Sequence, residues 1–357
     1  MKQRLDYVKR IIEQEGLDGF LITSRPNTFY FTNFTGSTSK CLVTKNKAYL
    51  VVDFRYTIQA KEQVFPGIEV IQYDKSMNDL LNTLCQNDGV NKLGIEGEDV
   101  TFSAYNNVND SLSYVKSFHD LQKQLNSVRM IKDECEIEII QKAVDISDKV
   151  FNEILPFMKP GVKEYDIANE MEYRMKKLGA QGPSFETIVA SGPRSALPHG
   201  VAGMRELQKG DAVVMDFGAI YEGYCSDITR TVFIGEPSEQ LKDIYNIVLK
   251  AQLTALDKAA EGMTGKELDN YARSIIYGAG YEKCFGHGLG HGVGIEIHEA
   301  PSVSPRGEEA LKKGMVFTIE PGIYVEDVGG VRIEDTVTLT SEGLRILTKS
   351  TKELIIL

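Results

Sequence analysis

Along the first 120 or so positions, short apolar runs alternate with amphipathic stretches. "GFLIT" (19–23), "KAYLVVD" (47–53), "IEVIQYD" (68–74) and "KLGIEG" (92–97) read as strands. Between them, "RYTIQAKEQV" (55–64) and "MNDLLNTLCQN" (77–87) repeat their apolar positions at helical spacing. The opening "MKQRLDYVKRIIEQEG" is also an amphipathic helix, and charges interrupt its apolar runs too often for a signal peptide. Alternation of this kind predicts an α/β domain. No glycine-rich phosphate fingerprint follows any of these strands, so no nucleotide site is expected there.

The pattern changes near residues 120–132, which separates an expected N-terminal domain (1–125) from a second domain (126–357). "KDECEIEIIQKAVDISDKVFNEILPFM" (132–158) predicts a long helix ending at Lys159-Pro160-Gly161. Helical patterns then fall in pairs (132–158 with 164–178, and 238–260 with 265–278), each pair followed by hairpin-like β segments. That order hints at two related halves.

Composition narrows the class. Hydrophobic residues make up 42% and charged residues 25% of the 357 positions, as in soluble globular proteins. A net charge of −11 argues against a nucleic-acid partner. Five scattered cysteines with no C-x-x-C pair form neither a disulfide framework nor a zinc ribbon. No apolar stretch approaches the roughly 20 residues that span a bilayer. A cytoplasmic protein without membrane partners is expected.

Two hairpins place acids inside apolar strands. In "AVVMDFGAIYEGYCSDITRTVFIG" (212–235), a turn centred on Tyr221-Glu222 would set Asp216 directly opposite Asp227. Carboxylates so placed, with Cβ atoms roughly 5 Å apart, repel unless a proton, an arginine or a cation intervenes. In "GMVFTIEPGIYVEDVGGVRIEDTVTLT" (314–340), a loop centred near Asp327 would pair Glu320 with Glu334. "FGHGLGHGVGIEIHE" (285–299) adds His287, His291 and His298, three of the chain's five histidines. Four acids and a histidine form the oxygen and nitrogen donor set of two divalent cations, whose charge would balance the carboxylates.

Competing motifs fail on their surroundings. Asp216-Phe217-Gly218 lacks the catalytic and glycine-rich loops of a kinase, and the alternating glycines of 286–294 do not spell a phosphate loop. "HGLGH" has no zincin glutamate. His119 is expected to be ordinary. Glu299 and Asp335 point away from His298 and Glu334 along their strands, so solvated or supporting roles are expected, and the tyrosines and phenylalanines are expected to be core.

Taken together, Asp216, Asp227, His291, Glu320 and Glu334, with "HGLGHGVG", "IEPGIY" and "VRIEDTV" around them, resemble the pita-bread metallopeptidases, and within them the proline-specific branch of aminopeptidase P and prolidase. The likeness covers nearly the whole chain. It implies a creatinase-like α/β N-terminal domain followed by an α+β pita-bread catalytic domain, and a homodimer. It also implies five metal ligands: Asp216 chelating one ion, Asp227 and Glu334 bridging both, His291 on one and Glu320 on the other. Manganese is the first expectation, with cobalt or zinc as alternatives. His287 and His298 would assist substrate binding and proton movement, and His199 and Arg332 would lie on the substrate side.

The implied reaction is hydrolysis of Xaa-Pro bonds by hydroxide held between two cations, with Glu320 as general base and then acid. An Xaa-Pro aminopeptidase acting on longer peptides is the leading expectation, and a dipeptidase is the alternative. A metal-free creatinase-like hydrolase or a non-catalytic module of the same fold are remote alternatives, because both would lack several of these acids.

Overall fold

Six strands form the sheet of the N-terminal unit, in the order Glu69–Gln72, Ala48–Val52, Ser39–Thr44, Gly19–Ile22, Lys92–Ile95, Ser117–Asp120. The computed structural model describes residues 3–357, and contacts divide the chain after Arg129. Ser39–Thr44 runs antiparallel to both neighbours, and the remaining pairs are parallel. Four strands lie where the apolar runs predict them. "SKCLVT" and "SFHD" were not foreseen. The first has only three consecutive apolar residues, and the second is a half-exposed edge strand whose pattern carries no alternation. His119 sits on that edge, bonded to Ser117 Oγ at 3.0 Å.

Burial in this unit controls cysteine chemistry, at Cys41 on strand Ser39–Thr44 and at Cys85 on helix Met77–Asn87. The Cys41 thiol is pushed up to about 12 by burial and then by the charge of Glu96, and the Cys85 thiol is pushed up to about 12 by burial and then by Asp88. Thiolate is the reactive form. A thiol reagent at about pH 8 is therefore expected to modify exposed Cys135 and to reach Cys41 and Cys85 only after unfolding. Mass spectrometry of the native protein checks this, and rapid modification of Cys41 would contradict it.

In the second unit, Met130–Leu357, helices Glu134–Ile154 and Glu164–Lys177 form one pair, and Glu239–Lys258 and Gly265–Gly278 the other. Capping boxes start two of them, Asp133 with Glu136 and Thr264 with Glu267, each satisfying backbone N–H groups that the helix leaves free. The first helix stops short of its predicted end. Pro156, which lacks an N–H, makes Leu155–Phe157 a 3-10 turn instead.

Each helix pair backs a sheet. Ile188–Ser191, Ala212–Phe217 and Ile228–Phe233 form a three-stranded sheet. A five-stranded sheet runs in the order Glu299–Val303, Gly290–Gly292, Val316–Ile319, Asp335–Thr340, Gly343–Ile346. Side chains alternate across a strand. Val213, Met215 and Phe217 thus enter the core against the first helix pair, and Phe317, Ile319, Val331 and Ile333 enter the core against the second. Asp216, Glu320, Arg332 and Glu334 are left on the opposite faces. Among the described residues no helix is long and apolar enough to cross a membrane.

Candidate metal centre

Strand register decides which acids meet. In the first hairpin the turn falls on Glu222 and Gly223, both at positive φ (46° and 82°), one position later than predicted. Asp216 consequently faces Thr229, and Asp227 lies diagonal to it, not directly opposite. A shift of two in pairing keeps the face, so the acids still converge. The second hairpin has the predicted centre: Gly322 pairs with Arg332 below the break and Ile319 with Asp335 above it, which leaves Glu320 and Glu334 across from each other. At that break the chain steps sideways. The Glu334 N–H donates to Thr229 O of the first hairpin at 3.1 Å, joining the two hairpins at the acids themselves.

A cavity of about 470 Å³ opens over this junction, and Asp216, Asp227, His291, Glu320, Glu334, His199, His287, His298 and Arg332 all line it. Donor atoms of Asp227, His291 and Glu334 lie within 4.8 Å of one another. His291 Nε2 stands 3.6 Å from Asp227 Oδ2 and 3.3 Å from Glu320 Oε1. Its Nδ1 is 3.1 Å from Gly292 O, so a proton on Nδ1 donates there and leaves the Nε2 lone pair facing the acids.

The electrostatics favour a cation. Burial first, and then Glu334, Asp216 and Glu320, push Asp227 well above the usual carboxylate range. Burial, then Glu320 and Asp216, do the same for Glu334. Burial also raises Asp216, although the Arg332 guanidinium opposes it. Glu320 differs: burial would raise it, but the hydrogen bond and charge that His291 supplies once protonated in the metal-free protein overcome this and bring it to about 2. Asp216 Oδ1, Asp227 Oδ1 and Glu334 Oε1 are buried with no hydrogen-bond partner among the described residues. A buried polar atom left in that state costs about 1–3 kcal/mol. Unpaired carboxylate oxygens around an imidazole nitrogen are the chemistry that divalent cations satisfy, so the residues fit such ions.

Protein groups fix the remaining oxygens. Thr229 Oγ1 donates to Glu334 Oε2 at 2.8 Å, and Thr318 Oγ1 to Glu320 Oε1 at 3.1 Å. Arg332 donates to Asp216 Oδ2 at 2.5 Å, Thr229 Oγ1 at 3.0 Å, Pro198 O at 3.2 Å and Tyr324 Oη at 2.7 Å. Tyr324 Oη lies 3.0 Å from His287 Nε2, and His287 Nδ1 2.7 Å from Gly288 O. The consistent assignment is a chain of donors from Arg332 through Tyr324 and His287 to Gly288. Burial lowers the His287 pKa and favours the neutral ring this chain needs. The His298 ring stands at 64° to His291, 4.3 Å between centroids.

Several of these partners escaped the sequence. Tyr324 was assigned to the core, although "IEPGIY" carries it beside Glu320. Glu299 and Asp335 are not solvated. Lys132 Nζ lies 3.2 Å from Glu299 Oε2, with both side chains buried. Asp335 points to the helix side of its strand, where Arg230 at 2.8 Å, Lys352 at 2.5 Å and Gln252 at 2.8 Å surround it. Their cations come from distant segments, and no local pattern announces them.

The helix-paired halves and the acids between them define a metal-dependent hydrolase class, and sequence comparison agrees. Residues 138–341 match the family described as Metallopeptidase family M24, and residues 4–131 match the Creatinase/Prolidase N-terminal domain. The chain belongs to the M24 metallopeptidases and combines their pita-bread catalytic domain with a creatinase-type N-terminal α/β domain. It is 44% identical to a solved structure described as Xaa-Pro dipeptidase from Bacillus anthracis, with TM-score 0.97 over 100% of this chain and 99% of that one. A Pyrococcus furiosus protein named Xaa-Pro dipeptidase is 43% identical over 99% of this chain and all of that protein. A structure described as X-Pro aminopeptidase from Thermotoga maritima is 42% identical, with TM-score 0.91 over 97% of this chain and 99% of that one.

Proposed function

We propose that this metallopeptidase is an Xaa-Pro dipeptidase whose centre is held by Asp216, Asp227, His291, Glu320 and Glu334. The observation that carries the reading is the cluster of buried carboxylate oxygens without partners around His291 Nε2. The relatives named as dipeptidases favour a dipeptide substrate over the longer peptides that led the sequence-based expectation. Two bound divalent cations, manganese first among them, would supply a water of lowered pKa and polarise the scissile carbonyl.

The side chains do the rest. Glu320 accepts the water's proton and returns it to the departing proline nitrogen. His298, on the cavity wall beside His291, donates to the oxygen on which charge develops. His287, favoured as the neutral ring by burial and oriented by Tyr324 and Gly288, offers a route for proton movement. His199 and Arg332 flank the substrate, and Arg332 also holds Asp216 in place.

Metal-stripped protein given Ala-Pro or Ala-Pro-Ala, with and without manganese, tests this. Manganese-dependent cleavage of Ala-Pro alone is expected. Cleavage of the tripeptide at its Ala-Pro bond would make the enzyme an aminopeptidase, and no cleavage of either by metal-loaded protein would overturn the proline-specific reading.

A further inference from the structure

His199 lies on a segment with little regular structure. After the 3-10 turn Gly192–Ala196, residues 197–206 run without a strand, and Leu197 and Met204 are 53% and 67% exposed, while Ala202 packs against the core of the first helix pair. Backbone pairing with Lys163, Tyr165 and Ile188 and the Arg332 bond to Pro198 O help to hold it, and one buried carboxylate gathers both of its ends. Glu164, the first residue of helix Glu164–Lys177, is fully buried, and its two oxygens collect four donors from the loop. Oε1 accepts the Ser191 N–H at 2.8 Å and Ser191 Oγ at 2.6 Å. Oε2 accepts the Gly203 N–H at 3.0 Å and an Arg194 N–H. Arg194 in turn donates to Val201 O at 2.7 Å, on the far side of His199 in the chain.

We propose that Glu164 is a positioning residue for His199: its buried carboxylate ties the two ends of the loop 191–203 together and so sets where His199 and Pro198 meet the cavity. The proposal rests on the peptidase reading with His199 on the substrate side. Charge-assisted bonds of this kind are stronger than neutral ones. Only a carboxylate offers acceptors to all four donors, because the amide of glutamine would turn N–H toward N–H on one side. The second half of the unit repeats the device. Asp269, on helix Gly265–Gly278, accepts the Leu289 N–H at 3.0 Å and pairs with Arg273, which donates to His287 O at 2.8 Å. In each half, an acid on the second helix clamps the loop that carries a cavity histidine.

Hydrogen exchange and kinetics on the metal-loaded protein test the clamp. Glu164→Gln is expected to speed exchange of amides in 192–203 by about tenfold or more while leaving those of 290–292 unchanged. In Ala-Pro hydrolysis it is expected to raise KM roughly tenfold with kcat within about threefold. Added to His199→Ala, Glu164→Gln should raise KM by less than about twofold, because a residue acting through His199 has nothing left to position. If Glu164→Gln does not fold, Arg194→Met removes the outer half of the clamp and Arg194→Lys restores part of it. Unchanged exchange, or the same KM increase without His199, would overturn the proposal. Should the wild-type protein cleave no Ala-Pro, the dipeptidase reading is lost; faster exchange would still uphold the clamp, and unchanged exchange would still overturn it.

Discussion

Asp227→Asn is expected to lower kcat/KM by more than about a thousandfold and to strip metal from the centre, because the ions supply several kcal/mol of transition-state charge stabilisation. Glu334→Gln should behave alike. Both are near-isosteric, so the side-chain packing around Thr229 is kept. The same substitutions should raise the melting temperature of the metal-free protein. They delete a buried carboxylate that faces other carboxylates, with an oxygen that lacks a hydrogen-bond partner. Metal content by emission spectroscopy, Ala-Pro kinetics and thermal melts report the three effects. An Asp227→Asn protein that keeps its metal and its activity would remove Asp227 from the centre.

Metal removal should also change how stability depends on pH. In the metal-free protein, Asp227 and Glu334 hold their protons more tightly when folded than when unfolded. Groups of that kind contribute full stability below their unfolded values, about 4, and the contribution is lost as pH rises through the raised folded values. Each unit of difference corresponds to about 1.4 kcal/mol. The chelator-treated protein is therefore expected to melt at progressively lower temperature as pH rises above about 4. Manganese should abolish most of the decline, and Asp227→Asn should lessen it without metal. A metal-free wild-type protein that gains stability over this range would show that the acids are not repelling one another there.

The site was more legible than its support. Asp216, Glu320 and Glu334 stand out because each lies within or ends an apolar run, and hairpin parity puts Asp227 on the face of Asp216 and Glu334 on that of Glu320. The second hairpin's centre at Asp327 was read correctly, and the first was misplaced by one position because either Tyr221-Glu222 or Glu222-Gly223 could form its turn. Parity survived the error, which is why the converging acids did too. What could not be read is long-range pairing between side chains. Glu164 with Arg194, Lys132 with Glu299, and Arg230 with Asp335 join segments 30 or more positions apart. The central strand Ser39–Thr44 was missed for a related reason, since its stability comes from neighbours on both sides and not from its own pattern.

The sideways step of Glu334 onto Thr229 bears on how the enzyme comes into being during synthesis. The first two acids leave the ribosome about a hundred residues before the last two, and Arg230 beside them is anchored on Ser350 and Thr351 carbonyls near the C-terminus. The two hairpins can join only once nearly the whole chain has been released. A nascent chain truncated before residue 334 lacks one of the five proposed ligands and the step that joins the hairpins, so capture of metal by a full ligand set would report that both hairpins have been made and docked.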